Sequence, residues 1–498
     1  MRSAWNPIDK KINKMKNEYF ATAESVAAGH PDKVADAISD AILDAHLARD
    51  PQARVAAETL VHAHPSRTTG QVTLAGEITS RAAGAVDHEA IVRRVLRRIG
   101  YTDLEKHGFD AEQVTVVDTI GQQSREIHRA AEKGAGDQGI VYGYATRTTA
   151  TGIPLPLEIS HALMRRVQEV REKHDWLGPD GKAQISVRHN RLAALVLSLP
   201  VGLEVSAGEA ERFVLEQVCR PVLNRYFPTK EWSSVPFQFN TGGRWSVGGP
   251  LRDAGLTGRK LAVDTYGGLA PHGGGAFSGK DASKMDRAGA YAARELALWV
   301  LRHPIFPDDV DEVVVGLAFA IGVEQPVAIH FPGLNAGLAS IFEGLIRDAF
   351  DLSPAGIRSR LDLTQPFFER TAAFGHFGRP GEFRWEGEGG LALKEKTKPQ
   401  LPAFASATII RQDADRRTPP DFLRRQEEMR SATDEELIRR YRSDWNNRGW
   451  VSARATFLAA LALELERRFD CSAVIDGDRF LIGGPKTPQL VGRKIVLV

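Results

Sequence analysis

The sequence predicts an α+β protein of several layers, followed by a small C-terminal module of its own. Two observations carry this reading. Over roughly the first 385 residues, short runs rich in Val, Ile and Thr alternate with amphipathic helical runs. From about residue 387 the texture shifts to a Gly/Lys/Pro-rich passage and then to charged helices.

The elements follow in order. Residues 1–18 form a basic tail with no apolar segment of the kind a secretory signal needs. In "KVADAISDAILDAHLAR" (33–49), Val34, Ile38, Ile42 and Ala45 recur at helical spacing. "QVTLAGEI" (71–78) and "QVTVVDTI" (113–120) read as strands, with "HEAIVRRVLRRIG" (88–100) an amphipathic helix ending at a glycine. "GPDGKAQISVR" (178–188) is a turn leading into a strand, and "RKLAVDTYGG" (259–268) reads as a strand entering a glycine-rich turn. "HAHPSRTT" (62–69) is expected at a hairpin tip. His62 and His64 could share a strand face there and hold a metal, but a solvated loop is the stronger reading.

In the module 387–498, a linker precedes a helix capped by Thr433, with Glu436 at capping-box spacing. The helix "SARATFLAALALELERRF" follows, then a hairpin and a terminal strand.

Composition bounds the function. With 42% hydrophobic and 26% charged residues the chain can bury sizeable cores, which excludes disorder throughout. A net charge of +2 argues against a nucleic-acid binder and confines any cationic site to a local cluster. The only cysteines, Cys219 and Cys471, make no disulfide framework and suit a reducing compartment. The most apolar late run is broken by Glu464 and is too short to cross a bilayer. A cytoplasmic enzyme that engages neither nucleic acid nor membrane is expected.

The chemistry concentrates in residues 248–286, where glycines are dense and Arg252, Arg259, Lys260, Lys280 and Lys284 interleave with Asp253, Asp264, Asp281 and Asp286. Glycines let backbone N–H groups approach an anion, Arg forks onto phosphate oxygens, and carboxylates supply the oxygen donors that Mg²⁺ prefers. "GGGAFSGKD" has P-loop spacing, but Asp281 stands where that motif needs a hydroxyl. Three more segments matter: "GHPDK" (29–33) just before a helix, where N–H groups favour anions; "GAGDQG" (134–139) around Asp137; and "DGKAQ" (180–184) with Asp180 and Lys182. Taken singly, each also fits an ordinary turn or a helix cap, Asp32 serving as cap or first-turn acid with His30 a bystander.

Read together and in order, GHPDK/ADAISDAILD, GAGDQG, DGKAQ, GGPLRDAGLTGRK and GGGAFSGKD resemble the S-adenosylmethionine synthetase family, from about Phe20 to Glu386. The resemblance implies a core at 19–386 of three similar, interwoven α+β subdomains. It implies ATP and L-methionine as substrates, a pair of Mg²⁺ ions and a K⁺ ion, and a homodimer or homotetramer with active sites between subunits. Sulfur would attack C5′ of ATP and expel triphosphate, which is then hydrolysed to phosphate and diphosphate.

Residue by residue, the resemblance implies catalytic roles for His30, Asp137, Lys182, Arg259 and Lys280. It implies ATP contacts for His30, Asp180, Lys182, Arg244, Trp245, Asp253, Arg259, Lys260, Ala276 and Lys280. Methionine would meet Glu77, Gln123, Asp253 and Lys284; Asp32 and Asp286 would bind Mg²⁺, and Glu58 K⁺. The chain departs from the family pattern at Trp245, where phenylalanine is usual, and at Ala27, Ala28 and Ala37. The lid segment "REIHRAAEK" (125–133) is about six residues short, which bears on water exclusion and methionine enclosure. A non-catalytic regulatory paralogue, or a related ATP-using transferase with altered methionine-analogue specificity, remains the alternative at this stage.

Overall fold

The computed structural model describes residues 20–64, 69–122, 134–307, 310–387 and 428–445, with the strand residues 475–476, 479–480, 488–491 and 494–497. These residues fall into two units. One draws on Met1–Arg302, Asp311–Ile329 and Leu352–Lys394; the other on His303–Val310, His330–Asp351 and Glu395–Val498.

Among the described residues the first unit holds three larger sheets, each covered by helix, and the short pair Thr102–Asp103 with Phe109–Asp110. Strand β1 (Phe20–Val26) leads through the GHPDK turn into helix α1 (Pro31–Leu47), where Pro31 sits at a position that needs no N–H donor. The hairpin β2 (Arg54–Ala63) and β3 (Gly70–Thr79) follows, in register from Arg54↔Thr79 to Ala63↔Gly70. Residues 65–68 of the expected tip lie outside the described residues. Helix α2 (His88–Ile99) is capped by Asp87, whose side chain accepts from Ala90 N–H, and ends at Gly100 with φ 106°. Its buried positions Val92, Val95, Leu96 and Ile99 form one face.

Strand β4 (Thr115–Asp118) runs parallel to β3. Then come β5 (Gly139–Thr146), α3 (Leu155–Arg171), the hairpin β6 (Lys182–Arg188) and β7 (Arg191–Ser198), and β8 (Phe237–Phe239). Strand β9 (Gly255–Leu256), helix α4 (Met285–Arg302) and β10 (Glu312–Phe319) complete the frame.

The sheets are woven from distant segments. One has order β1-β6-β7-β8 with α3 against it, the next β9-β2-β3-β4 with α1 against β2, and in the third β10 runs antiparallel to β5 under α4. This is the α+β architecture of repeated sheet-and-helix layers. Val34, Ile38, Ile42, Val55, Val61 and Leu74 are among the core residues of the α1 layer, while Ile159, Leu163, Ile185, Val187 and Leu197 pack the α3 layer. Cys219 is buried within the latter.

One expected element is corrected. Residues 259–268 are not a strand: Leu261–Asp264 form a single helical turn, followed by Gly267 and Gly268 at positive φ. The turn is held at Asp264, whose carboxylate meets the buried Lys33 ammonium at 2.5 Å. An ion pair inside the layer thus outweighs the β-like residue pattern.

In the second unit, Phe342 of the helix Ala336–Ala349 is fully buried and meets the rings of His303, Phe306 and Phe331. The expected cap is present at the helix Asp434–Trp445, where Glu436 N–H donates to Thr433 Oγ1 at 3.3 Å. The expected terminal strand, Lys494–Leu497, pairs as a hairpin with Pro488–Val491, and Ile475–Asp476 pairs with Arg479–Phe480. The helix expected over 452–469 lies outside the described residues.

Candidate active site

Helix α1 organises the site through a feature the sequence reading passed over. Asp32, Asp36, Asp40 and Asp44 recur every four residues, so they share one helical face. Each accepts a backbone N–H from a loop: Asp32 from Leu256 (3.0 Å), Asp36 from Gly258 (2.8 Å), Asp40 from Gly279 (2.8 Å), and Asp44 from Phe368 and Glu369 (both 2.9 Å). The GLTGRK and GGGAFSGKD loops are thereby pinned along the helix. Close packing adds to this. A Cβ on Gly255 would lie 2.0 Å from the Pro31 carbonyl oxygen, and one on Gly29 would lie 2.3 Å from that of Pro179. Glycine is required at both, and the GHPDK turn is wedged between the other two motifs.

His30 is the N-cap of α1 and no bystander: its Nδ1 accepts from Asp32 N–H at 3.2 Å. That bond leaves the ring proton on Nε2, a neutral donor. Burial, with Lys260 and Lys182 nearby, lowers the His30 pKa to about 3, so the ring stays uncharged at neutral pH. Asp32 lies in the first helical turn and is fully buried. Lys260 Nζ stands 2.5 Å from its Oδ2 and Arg259 Nε 3.4 Å from its Oδ1. Burial pushes this carboxyl up, but the Lys260 and Leu256 hydrogen bonds more than reverse it and leave the pKa below the ordinary value.

Beside this cluster, Asp180 Oδ2 accepts from Gly249 N–H at 2.8 Å, and burial raises its pKa. A Cβ on Gly248 would meet the Trp245 ring at 2.6 Å, Pro200 at 2.9 Å and Asp180 at 3.0 Å, so the Trp245 face, Pro200 and Asp180 surround that glycine. Trp245 Nε1 donates to Asn240 Oδ1 at 3.2 Å, which fixes the ring. Lys182 opens β6 opposite Val26, and Asp253 is exposed on the loop leading to β9. Arg244 donates to the carbonyls of Gly202 and Val205, which ties it to the 202–205 turn.

A second group lies along β2. Lys280 bridges Ala56, Ala56 pairs with Glu77, and Glu77 bridges Gly121, so these positions form one row across the sheet. Lys280 Nζ donates to Asp286 Oδ2 at 2.7 Å, Asp286 being in the first turn of α4. The two groups adjoin at Gly258, where a Cβ would lie 2.3 Å from the Ala276 methyl. Glu58 is exposed on the same face of β2 as Ala56, and Asp137 is exposed just before β5. Lys284 lies in the turn before α4. Gln123 and the lid 125–133 lie outside the described residues.

The misfit in GGGAFSGKD is explained here. Asp281 accepts from Val55 N–H (2.8 Å) and Ser283 N–H (2.8 Å), while its own N–H donates to the Val55 carbonyl (3.1 Å). It locks the loop to β2 and does not face a phosphate. Asp264, bound to Lys33, is likewise structural.

Carboxylate oxygens at Asp32 and Asp286 have the donor chemistry that Mg²⁺ takes, and each sits beside a lysine suited to phosphate. Among the described residues no three His, Cys, Asp or Glu side chains converge on one point, so His62 and His64 form no such group and Asp32 and Asp286 do not share one.

Models of the S-adenosylmethionine synthetase N-terminal, central and C-terminal domains match residues 18–125, 132–245 and 247–387. The chain is 43% identical over 401 residues to a protein named S-adenosylmethionine synthase from Salinibacter ruber (strain DSM 13855 / M31), covering 78% of this chain and 100% of that one. A protein of the same name from Sulfurovum sp. (strain NBC37-1) is 43% identical over 389 residues, covering 75% of this chain and 96% of that one. With the motif loops pinned to one helix and all three domain models matched in order, the chain belongs to the S-adenosylmethionine synthetase family.

Proposed function

We propose that the protein makes S-adenosylmethionine from ATP and L-methionine, with water consumed and phosphate and diphosphate released. The observation that carries this is the pairing of Lys260 and Arg259 with the buried Asp32, beside a buried, uncharged His30 that also feels Lys182. The S–C5′ bond forms as the C5′–O bond breaks, and the leaving triphosphate takes up about four negative charges, so preorganised cations and donors lower the barrier. His30 donates its Nε2 proton in a hydrogen bond to the departing oxygen. Lys182, Arg259, Lys260 and Lys280 hold the polyphosphate, and Trp245 stacks on adenine while Asp180, Asp253, Arg244 and Ala276 complete the nucleoside site.

Glu77, Gln123, Asp253 and Lys284 receive methionine, and Asp137 positions the two substrates in line. Mg²⁺ would be held by Asp32 and Asp286 and K⁺ by Glu58, supplying charge neutralisation of the phosphates when bound.

The outer face of the β9-β2-β3-β4 sheet supports a homodimer with a shared site, which can pair into a tetramer. There Leu60, Val117 and Leu256 are exposed beside Glu58 and Glu77, where a solvated sheet face would be polar. No helix among the described residues is long and apolar enough to cross a membrane. We assign the protein to the cytoplasm, residues 19–386 to the catalytic core, and 1–18 and 387–498 to extensions outside it.

The test is purified protein with ATP, methionine, Mg²⁺ and K⁺, followed for S-adenosylmethionine and phosphate. Methionine-dependent formation of both is expected; tripolyphosphate cleavage without adenosyl transfer, or silence on both, overturns the reading.

A further inference from the structure

A cavity of about 580 Å³ lies between α3 and the segment 221–226, the end of the short helix Arg220–Leu223 and the turn after it, and it shares no lining residue with the site above. Its volume is within the range of small-molecule pockets, about 300–1,000 Å³. The charged and polar wall consists of Arg165, Arg166, Arg225, Tyr226, Glu158 and Glu169.

The pairing inside it is uneven. Glu169 is taken by Arg166 at 2.8 Å, and Glu158 accepts the Thr151 hydroxyl. Among the described residues neither Arg165 nor Arg225 has a carboxylate partner within ion-pair distance. Among the described residues Arg165 donates to the Phe374 carbonyl (2.9 Å) and lies against that ring. Arg379 is close to it, and Glu382 is already held by Arg379 and Arg370. Burial, with Arg379 adding repulsion, pushes the Arg165 pKa down. A largely desolvated guanidinium whose nearest carboxylates, Glu382 and Glu158, stay beyond ion-pair distance is costly, and its planar fork fits oxyanions.

We infer that this cavity is a second anion site, taking a small polyvalent oxyanion, a phosphate compound or a di- or tricarboxylate, between Arg165 and Arg225. Arg166 adds a third guanidinium at the wall, while the Tyr226 hydroxyl is hydrogen-bonded to Glu158 and Arg225. The inner wall includes His161, whose Nδ1 is 2.8 Å from Ser25 Oγ on β1, the strand that leads into the His30 turn. The site therefore adjoins the framework of the triphosphate cluster without using its residues.

Calorimetric titration of the full chain with pyrophosphate, and separately with citrate, tests this on the wild type, Arg225→Glu, Ala162→Phe and Lys260→Met. Ala162 lines the cavity, so phenylalanine there fills it without changing charge. The expected result is one binding class, for either probe, that Arg225→Glu and Ala162→Phe weaken by about tenfold or more and Lys260→Met leaves intact. The pyrophosphate and citrate arms distinguish phosphate from carboxylate ligands. The absence of any class weakened by Arg225→Glu, or its equal loss in Lys260→Met, overturns the inference. Because Lys260→Met reports the triphosphate cluster separately, failure of this site and failure of the proposed synthesis are distinguishable. Should Arg225→Glu perturb folding, Arg225→Gln reads the same loss.

Discussion

Lys260 and the buried Asp32 form an ion pair, Nζ to Oδ2 at 2.5 Å, at the N-terminus of the helix that pins the motif loops. The same pairing recurs between Lys280 and Asp286 at 2.7 Å. In each, a lysine suited to phosphate neutralises a carboxylate suited to Mg²⁺, and Arg259 and Lys182 leave the cluster with an excess of positive charge.

Removing one member strands the other. Lys260→Met is expected to lower kcat by about 10²–10³ with a smaller change in the ATP KM, as for loss of a donor to a developing charge. Steady-state kinetics decides. A change confined to KM would make Lys260 a binding residue alone. Chelation of Mg²⁺ should abolish turnover, while Asp32→Asn and Asp286→Asn should raise the Mg²⁺ concentration needed for half-maximal rate.

His30 is expected to act uncharged. With its pKa lowered to about 3, it contributes no ionisation between pH 5 and 8. His30→Ala should cost about 10²-fold in kcat while leaving the shape of the pH–rate profile in that window unchanged. An acid limb near pH 6.5 that disappears in the variant would show instead that the ring titrates during turnover.

Trp245 offers a larger stacking face than phenylalanine. Trp245→Phe should leave the ATP KM within about threefold, and Trp245→Ala should raise it about tenfold through lost aromatic contact. The readout is KM for ATP at saturating methionine; equal effects of the two substitutions would remove Trp245 from the nucleotide site.

Asp44 should tie stability to pH. Burial raises its pKa to about 7 against the two N–H bonds from Glu369 and Phe368, with Asp40 adding repulsion. A carboxyl whose folded value lies above its unfolded value of 3.8 favours the folded state fully below that value. The benefit is lost as pH rises through about 7, with a slope of up to about 1.4 kcal/mol per pH unit. Asp44→Asn should flatten this slope between pH 4 and 7 in denaturant titrations. An unchanged slope would place the titration on another group.

Much of the site was legible because its chemistry sits in contiguous motifs. GHPDK, DGKAQ and GGGAFSGKD each name their own charged residues, and the structure brings His30, Asp32, Arg259 and Lys260 together. The four aspartates of α1 were harder to see, because their partners are backbone N–H groups more than 200 residues away, as with Asp36 and Gly258. The strand expected at 259–268 failed for a related reason: Asp264 is claimed by Lys33, 231 residues earlier in the chain, and local pattern carries no record of that. Asp281 looked like an obstacle to phosphate, and only its bonds to Val55 show that it belongs to the backbone frame.

The aspartate row on α1 also bears on how the chain folds. Like charges four residues apart weaken an isolated helix, so a peptide spanning residues 29–50 should show little helicity in solution at neutral pH. Lys33 offsets Asp36 from within the helix, and the rest of the row is offset when Lys260, Arg287 and the loops from residues 256–279 and 368–369 arrive. Helix formation near the start of the chain is thereby coupled to synthesis of its later portion. A truncated or half-made chain then exposes no finished cluster of Lys260, Arg259 and Asp32.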